Sequence, residues 1–270
     1  MTGVQTCALP ILYQTILYEV NERIATVTIN RPEFGNAFSE ETYGEIIDVM
    51  NKIDQDEEVQ AVILTGAGKY FCSGGDVRLF QEMIDQGIEV SEELVIDTGR
   101  MVESIQKNSK PVIAAVNGVA AGAGLGLALA CDFIVMGQSS VLLTAFIHMG
   151  FPGDTTLIYN LQKAIGTFRT KRHVMLNEPI DARLATEYGI AHTVVADGEL
   201  SEAANELAKK LAAGPTQAIG FQKELFSEML YPEIQTFNKK EAKLMNMSSK
   251  SEDHKEAVAA FLAKRNPQFK

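Results

Sequence analysis

The sequence predicts an α/β fold of parallel βαβ units followed by a helical C-terminal part. Three observations predict it. Over the first half of the chain, short apolar strands alternate with amphipathic helices in the order strand, helix, strand, helix, strand. Two of these strands lead into glycine-rich turns, Phe71-Cys72-Ser73-Gly74-Gly75-Asp76 and a second built from Gly118, Gly122, Gly124 and Gly126. From about Thr155 onward the pattern is mostly helical.

Taken in order, Ile16–Val20 and Ile24–Asn30 read as a hairpin over Asn21-Glu22, with Ile24, Val27 and Ile29 on its apolar face, ended by Arg31-Pro32. Ser39 is the expected N-cap of the next helix, and Glu40 and Glu41 in its first turn favour the dipole. Tyr43, Ile46, Ile47, Met50 and Ile53 then fall on one helical face. Strand Ala61–Thr65 precedes the first glycine turn. Residues 78–108 read as helical with a polar break around Gln86–Ser91, and an apolar strand follows Lys110. Beyond the second glycine turn come an Ala/Leu helix and a strand at Phe133–Met136.

Asp181–Tyr188 reads as a short helix stopped by Gly189. Ser201–Ala213 is another helix, and Gly214-Pro215 opens one toward Met229. A last helical region starts at Ile234. Its Ala257, Val258, Phe261 and Leu262 stand at helical spacing and are expected to bury against another subunit. The chain thus divides into a core, 12–200, and a helical region, 201–270, expected to pack on neighbouring subunits.

At 270 residues with 46% apolar and 22% charged residues, the composition is that of a globular protein with a sizeable core. A net charge of −11 argues against a nucleic-acid or anionic-membrane surface but leaves room for a small phosphate-bearing ligand. The three cysteines, Cys7, Cys72 and Cys131, form no CxxC pair, so neither a zinc site nor a disulfide framework is expected, and their usage fits a reducing bacterial cytoplasm. Met1–Ile11 (MTGVQTCALPI) resembles translated adapter read-through and is expected to be a non-native artefact; it also lacks the basic start and apolar length of a signal peptide. No apolar run is long enough to span a membrane.

The glycine turns carry the chemistry. Gly and Ala bring bare backbone close to a ligand, and a helix start points unpaired amides at it. Two such turns can hold a developing oxyanion. Competing motif readings fail. The third glycine of a dinucleotide loop would be residue 127, which is Leu, and in Gly66-Ala67-Gly68-Lys69 the lysine is followed by Tyr70 where a P-loop needs Ser or Thr. The four histidines, His148, His173, His192 and His254, show no metal spacing and read as packed or surface residues; only His148 falls near the site in sequence. Cys72 reads as a small buried residue rather than a nucleophile.

Four segments in order, Thr28-Ile29-Asn30-Arg31-Pro32 with Asn36-Ala37, LTGAGKYFCSGGD, KPVIAAVNGVAAGAGLGLALACD and EDHKEAVAAFLAKRNPQF, resemble the crotonase superfamily, the enoyl-CoA hydratase/isomerase family. The resemblance covers essentially everything after residue 12. It implies a crotonase-like spiral of ββα units, a trimerising helical C-terminus in a homotrimer or homohexamer, an acyl-CoA thioester as substrate with no prosthetic group, and a thioester enolate held by two backbone amides. Carried onto this sequence, those amides belong to Gly75 and Ala123, the latter where the family usually has Gly. The resemblance also assigns coenzyme A contacts to Arg31, Ala37, Ser73, Asp76, Val77, Arg78 and Lys264, with Arg265 a further candidate for its phosphates and Phe261 a contact from the neighbouring subunit. The alternative for the cations is a solvated surface.

Hydratases of the family use two carboxylates, and their positions fall here on Gly126 and Phe146, neither of which can move a proton. Asp154 matches the position where isomerases of the superfamily carry an acid, and one carboxylate suffices to shuttle a proton between two carbons. Its alternative role is to cap the helix starting near Thr155. The segment Gly150–Leu161 also resembles 4-chlorobenzoyl-CoA dehalogenases, whose nucleophile stands where Asp154 does. Their Trp, however, corresponds to Phe146 and their His falls near Gly99. An enoyl-CoA isomerase is therefore expected, with a hydratase of atypical acid set or a non-catalytic acyl-CoA binder as alternatives. Phe80, Met83 and Leu94 are candidates for the acyl pocket.

Overall fold

The computed structural model describes residues 13–269; the Met1–Ile11 segment, with Cys7, lies outside the described residues. The chain opens with the hairpin β1 (Ile16–Asn21) and β2 (Ile24–Ile29), followed by α1 (Glu40–Gln55). Next come β3 (Ala61–Gly66), β4 (Tyr70–Cys72), α2 (Val77–Gln86) and α3 (Glu92–Gln106). The pattern repeats in β5 (Val112–Val116), β6 (Val119–Ala121) and α4 (Ala123–Ala130), and again in β7 (Phe133–Gly137), β8 (Val141–Leu143), α5 (Leu157–Ile165) and α6 (Thr167–Leu176). After β9 (Ile180–Asp181), α7 (Ala182–Glu187) and β10 (Thr193–Val195), four helices complete the chain: α8 (Leu200–Ala212), α9 (Thr216–Leu225), α10 (Ile234–Ser249) and α11 (Glu252–Leu262).

Each ββα repeat contributes one strand to each of two sheets. The larger runs β1-β2-β3-β5-β7-β10 and is parallel from β2 onward; the smaller runs β4-β6-β8-β9 with β4, β6 and β8 parallel. This two-sheet division corrects the sequence reading, in which each glycine turn left the larger-sheet strand directly. A short second strand intervenes each time. Because β4 and β6 are parallel neighbours, with Cys72 opposite Ala120, the turns that leave them emerge side by side at the carboxyl end of the small sheet. Crevices at the carboxyl ends of parallel strands are where such folds bind ligands.

The core strands read as continuous apolar runs because both faces of the larger sheet are covered. Val27, Ile29, Val62, Leu64, Val112 and Ala114 face the main core with α1 and α3, while Ile63, Ile113 and Val135 face Leu200, Ala204 and Ala208 of α8. Each fully buried Val, Leu or Ile side chain contributes about 1.5–3 kcal/mol. The hairpin differs from expectation in two details. Its turn residues are Glu22 and Arg23, both at positive φ, and Ile24 faces α8 while Ala25, Val27 and Ile29 face the main core. Period-two alternation demands that split, since residues 24 and 27 cannot share a face. Ser39 is the N-cap of α1 as expected, and it also forms a capping box with Thr42.

The tail also differs. Ala257 and Val258 are buried within the chain itself, and α11 packs against α2. His254 seats it: Nδ1 lies 2.8 Å from the Met149 carbonyl, and a Cβ on Gly150 would stand 2.9 Å from the His254 backbone. Among the described residues no helix is long and apolar enough to cross a membrane, and no group of three or more His, Cys, Asp or Glu residues is placed to hold a metal ion.

A buried amine ties α9 to the core. Lys223 Nζ donates to the carbonyls of Ile105 (3.2 Å) and Lys110 (2.9 Å) and pairs with Asp132 Oδ2 (2.5 Å), which also accepts from the Val112 amide (2.7 Å). Lys223→Met strands three acceptors at once. It is expected to lower stability in urea by about 3 kcal/mol, the scale of a buried pair losing one member; an unchanged unfolding midpoint would show that water replaces the amine.

Candidate active site

The two glycine turns touch. Gly74 has φ +99 and Gly122 φ +51 with ψ −123, backbone that side chains disfavour, and a Cβ built on Gly74 would stand 3.0 Å from Ala121 O and 3.7 Å from Ala123 N. The first turn is locked against the chain before α1, the Phe38 amide donating to Gly74 O (2.8 Å) and the Asp76 amide to Phe38 O (3.1 Å). The second is locked by the Gly122 amide donating to Leu143 O (2.9 Å). The amides of Gly75 and Ala123 take no hydrogen-bond partner among the described residues. Ala123 opens α4, whose first amides have no acceptor inside the helix and whose dipole is positive at that end.

Both amides border a cavity of about 610 Å³ that Asp154 also lines. Its walls include Phe38, Phe80, Leu94, Phe146 and Phe151. Asp154 is 8% exposed, its Oδ1 has no partner, and burial pushes its carboxyl up to about 7, a rise that the Thr155 hydroxyl only partly offsets. The capping alternative does not hold. The N-cap of α5 is Thr156, and only the backbone carbonyl of Asp154 receives an amide, from Leu157 (3.0 Å). An acid dissociating near neutrality inside an apolar cavity suits both proton removal and return.

The two positions at which the family resemblance places hydratase carboxylates carry no acid. A Cβ on Gly126 would lie 2.1 Å from Thr155 Oγ1, so the threonine occupies that space. Phe146 presents a ring to the cavity. Thr155 and Thr156 are fully buried at φ +53 and +49. The Thr155 amide donates to Thr98 Oγ1 (3.2 Å) and the Thr156 amide to Glu241 Oε2 (3.0 Å). Gly99, the counterpart of the dehalogenase histidine, is filled by Asn238, whose Nδ2 would lie 1.9 Å from a Cβ there.

Of the predicted coenzyme A contacts, Ala37, Ser73, Asp76, Val77 and Arg78 line the cavity. Asp76 N-caps α2 through the Arg78 amide (3.1 Å) and pairs with Arg78 (2.6 Å) and Arg31 (3.3 Å). Burial raises the Asp76 carboxyl, but the Arg78 bonds outweigh it and hold the group below its usual range. The guanidinium of Arg78 lies 3.7 Å over the Phe34 ring and that of Arg31 lies 5.0 Å from it. Arg31 itself sits behind Asp76 and also donates to Ala37 O, outside the lining. Lys264 is not among the lining residues, and Arg265 is engaged with Glu256. Phe261 and Leu262 line the cavity of their own chain, yet both keep much of their surface exposed, at 59% and 43%.

Phe80 and Leu94 line the cavity as expected, whereas Met83 packs in the cluster behind them. His148 lines the cavity and approaches Asn177 (3.0 Å), and His254, expected as a packed or surface residue, stacks on Phe151 at 4.1 Å between centroids. Cys72 is buried, which pushes its thiol up to about 12, so it is inert as the sequence reading held. Sequence reasoning missed Thr98 and Glu241. The signal for Glu241 was present: it interrupts the buried stripe Ile234, Asn238, Ala242, Met245 of α10.

The profile of the Enoyl-CoA hydratase/isomerase family matches residues 19–270. The chain is 32% identical to a 1,2-epoxyphenylacetyl-CoA isomerase of Escherichia coli over 96% of its own length and 99% of the relative. It is 33% identical to a probable enoyl-CoA hydratase of Rhodobacter capsulatus, covering 95% and 98%. Its fold is similar to the crystal structure of an enoyl-CoA hydratase from Mycobacterium avium subsp. paratuberculosis, with a TM-score of 0.87 at 26% identity over 96% of this chain and all of the other.

The Gly126–Thr155 contact is directly testable. Gly126→Ala forces Thr155 from its seat, and the expected loss of stability in urea is about 1–3 kcal/mol, the usual scale of core overpacking. A variant as stable as the parent would show that this contact yields freely.

Proposed function

The chain belongs to the enoyl-CoA hydratase/isomerase family, and within it we propose that it is an isomerase shifting the double bond of an enoyl-CoA thioester, with Asp154 as proton shuttle. The observation that carries this reading is a buried carboxyl with an unpartnered oxygen lining the same cavity as two free backbone amides, with other residues at both hydratase acid positions. The thioester is the substrate and no prosthetic group is invoked. Arg78, with Arg31 behind it, faces the coenzyme A phosphates at the mouth.

The Asp154 carboxylate takes a proton from the carbon next to the carbonyl of a 3-enoyl thioester. The C–H electron pair moves into a conjugated dienolate, whose oxygen receives hydrogen bonds from the Gly75 and Ala123 amides. Fixed donors need no reorganisation, and one such donor is worth about 3–4 kcal/mol in other enzymes. Protonated Asp154 then returns the proton to the far carbon, giving the 2-enoyl thioester. Water addition needs a second acid or base, which neither Gly126 nor Phe146 provides. That is why hydration is the second reading, although relatives named isomerase and hydratase match the chain alike.

Asp154→Asn is expected to lower the conversion of a 3-enoyl-CoA to its 2-enoyl isomer by at least about 100-fold, the low end of positioned acid–base catalysis. Binding of the ester without turnover by the parent protein would favour a non-catalytic binder. The base works ionised, so kcat/KM is expected to rise with pH through about 7 and level off above it; a profile flat from acid to neutral pH counts against Asp154.

We propose also that copies of the chain associate through the apolar residues that end α9 and follow it. Leu225, Phe226 and Met229 are 63%, 57% and 70% exposed, and large apolar side chains exposed together mark interaction surfaces. Light scattering is expected to report a trimer or hexamer, and a monomeric mass would refute the association.

A further inference from the structure

We propose that Glu241 on α10 is the positioning residue for Asp154: it fastens the left-handed Thr155–Thr156 turn that holds the Asp154 carboxyl at the cavity. The inference rests on the reading of Asp154 as proton shuttle and deepens it.

The turn is costly. Two successive β-branched residues at positive φ are rare, and each such residue costs about 1–3 kcal/mol unless its surroundings over-determine it. Two side chains do so here, one for each amide. Thr98 Oγ1 of α3 accepts from Thr155, and Glu241 Oε2 accepts from Thr156. The position of α10 is set by close packing on α3, where Asn238 fills the space a side chain at Gly99 would occupy and its Nδ2 donates to Ile96 O (3.0 Å). One helical turn on from Asn238, Glu241 arrives under the residues that follow Asp154.

A purely structural stripe would carry an apolar residue at 241. Instead there is a carboxyl, 5% exposed, with one oxygen on the Thr156 amide and Oε1 unpartnered. Unsatisfied buried polar atoms are few in native proteins and need a reason. Burial, and after it the charge of Asp154, hold Glu241 protonated well above the usual carboxylate range. The other groups facing the pair add no charge. Tyr43 of α1 is buried and stays protonated, and α4 carries no titratable residue. On α3, Asp97 and Glu103 pair with Arg100 and Lys107. His254 of α11 is held toward its neutral form by burial. A neutral Glu241 acts as an acceptor for Thr156 and leaves the single negative charge to Asp154.

The test compares Glu241→Leu, Glu241→Gln and Thr98→Val with the parent and with Asp154→Asn, using a six-carbon 3-enoyl-CoA and checking each fold by circular dichroism. Glu241→Leu removes the acceptor and is expected to lower kcat about 10- to 100-fold with KM changed less than about threefold, the scale of a misplaced catalytic group. Glu241→Gln keeps an acceptor oxygen and the neutral state, and is expected to bring kcat back to within about threefold and to leave the pH midpoint unmoved. Thr98→Val, which removes the other anchor, is expected to lower kcat in the same way. A folded Glu241→Leu protein with parental kcat overturns the proposal, as does a loss shared equally by the Gln variant. If the Leu variant does not fold, a tenfold loss of kcat in Glu241→Gln or parental kcat in Thr98→Val overturns it, and the opposite results support it. If Asp154→Asn itself keeps full activity, the proton-shuttle reading fails first, whatever the Glu241 variants do.

Discussion

The closeness of the two turns leaving β4 and β6 constrains every other part of the site. Parallel neighbouring strands end at the same level, so Gly74 and Ala121 meet without a side chain between them. Gly124 adds to this, since a Cβ there would stand 2.4 Å from Cys72 O. With the backbones in contact, the free amides of Gly75 and Ala123 open on one cavity, and neither can turn away without breaking a sheet bond or the start of α4. Preorganisation of this kind comes from strand pairing rather than from side-chain choice. It also accommodates Ala at 123: the free group there is the backbone amide, and the methyl group is buried.

The cavity holds two aspartates with opposite fates. Asp76 stands at the mouth between two guanidinium groups and remains ionised. Asp154 stands among phenyl rings with no cation beside it, and the cost of removing its charge from water dominates. One geometry thus supplies a fixed negative cap for α2 and a movable proton. Titratable groups whose surroundings push them apart in this way mark acid–base roles.

The fold was legible wherever local pattern decides. The N-cap at Ser39, the stripe from Tyr43 to Ile53 and the break between α2 and α3 all stand as the sequence indicates. The short strands β4 and β6 were not legible, because three residues carry no periodicity and exist only through their neighbours. The meeting of Gly75, Ala123 and Asp154 on one cavity was readable from glycine spacing and family resemblance. Thr98 and Glu241 were not, because they reach Asp154 from helices distant in sequence and act on backbone amides, which no motif records. Ala257 and Val258 were expected against another subunit and are covered by their own chain, because apolar spacing tells which face of a helix is covered but not by which chain.

The path of the tail bears on the acid as well as on the cavity wall. His254 of α11 holds Met149 and stacks on Phe151, just before Asp154, and Glu241 of α10 holds Thr156, just after it. Two consecutive C-terminal helices therefore grip the loop that carries Asp154 on either side of its carboxyl. The same helices carry Met245, Phe261 and Leu262 into the cavity wall. Whatever moves the tail must move the wall and the loop together, because Gly150 leaves no slack: its Cβ position is already occupied by the His254 backbone. The cavity wall and the placement of the Asp154 carboxyl are thus one packing event, and a tail folded onto its own chain is the arrangement that links them.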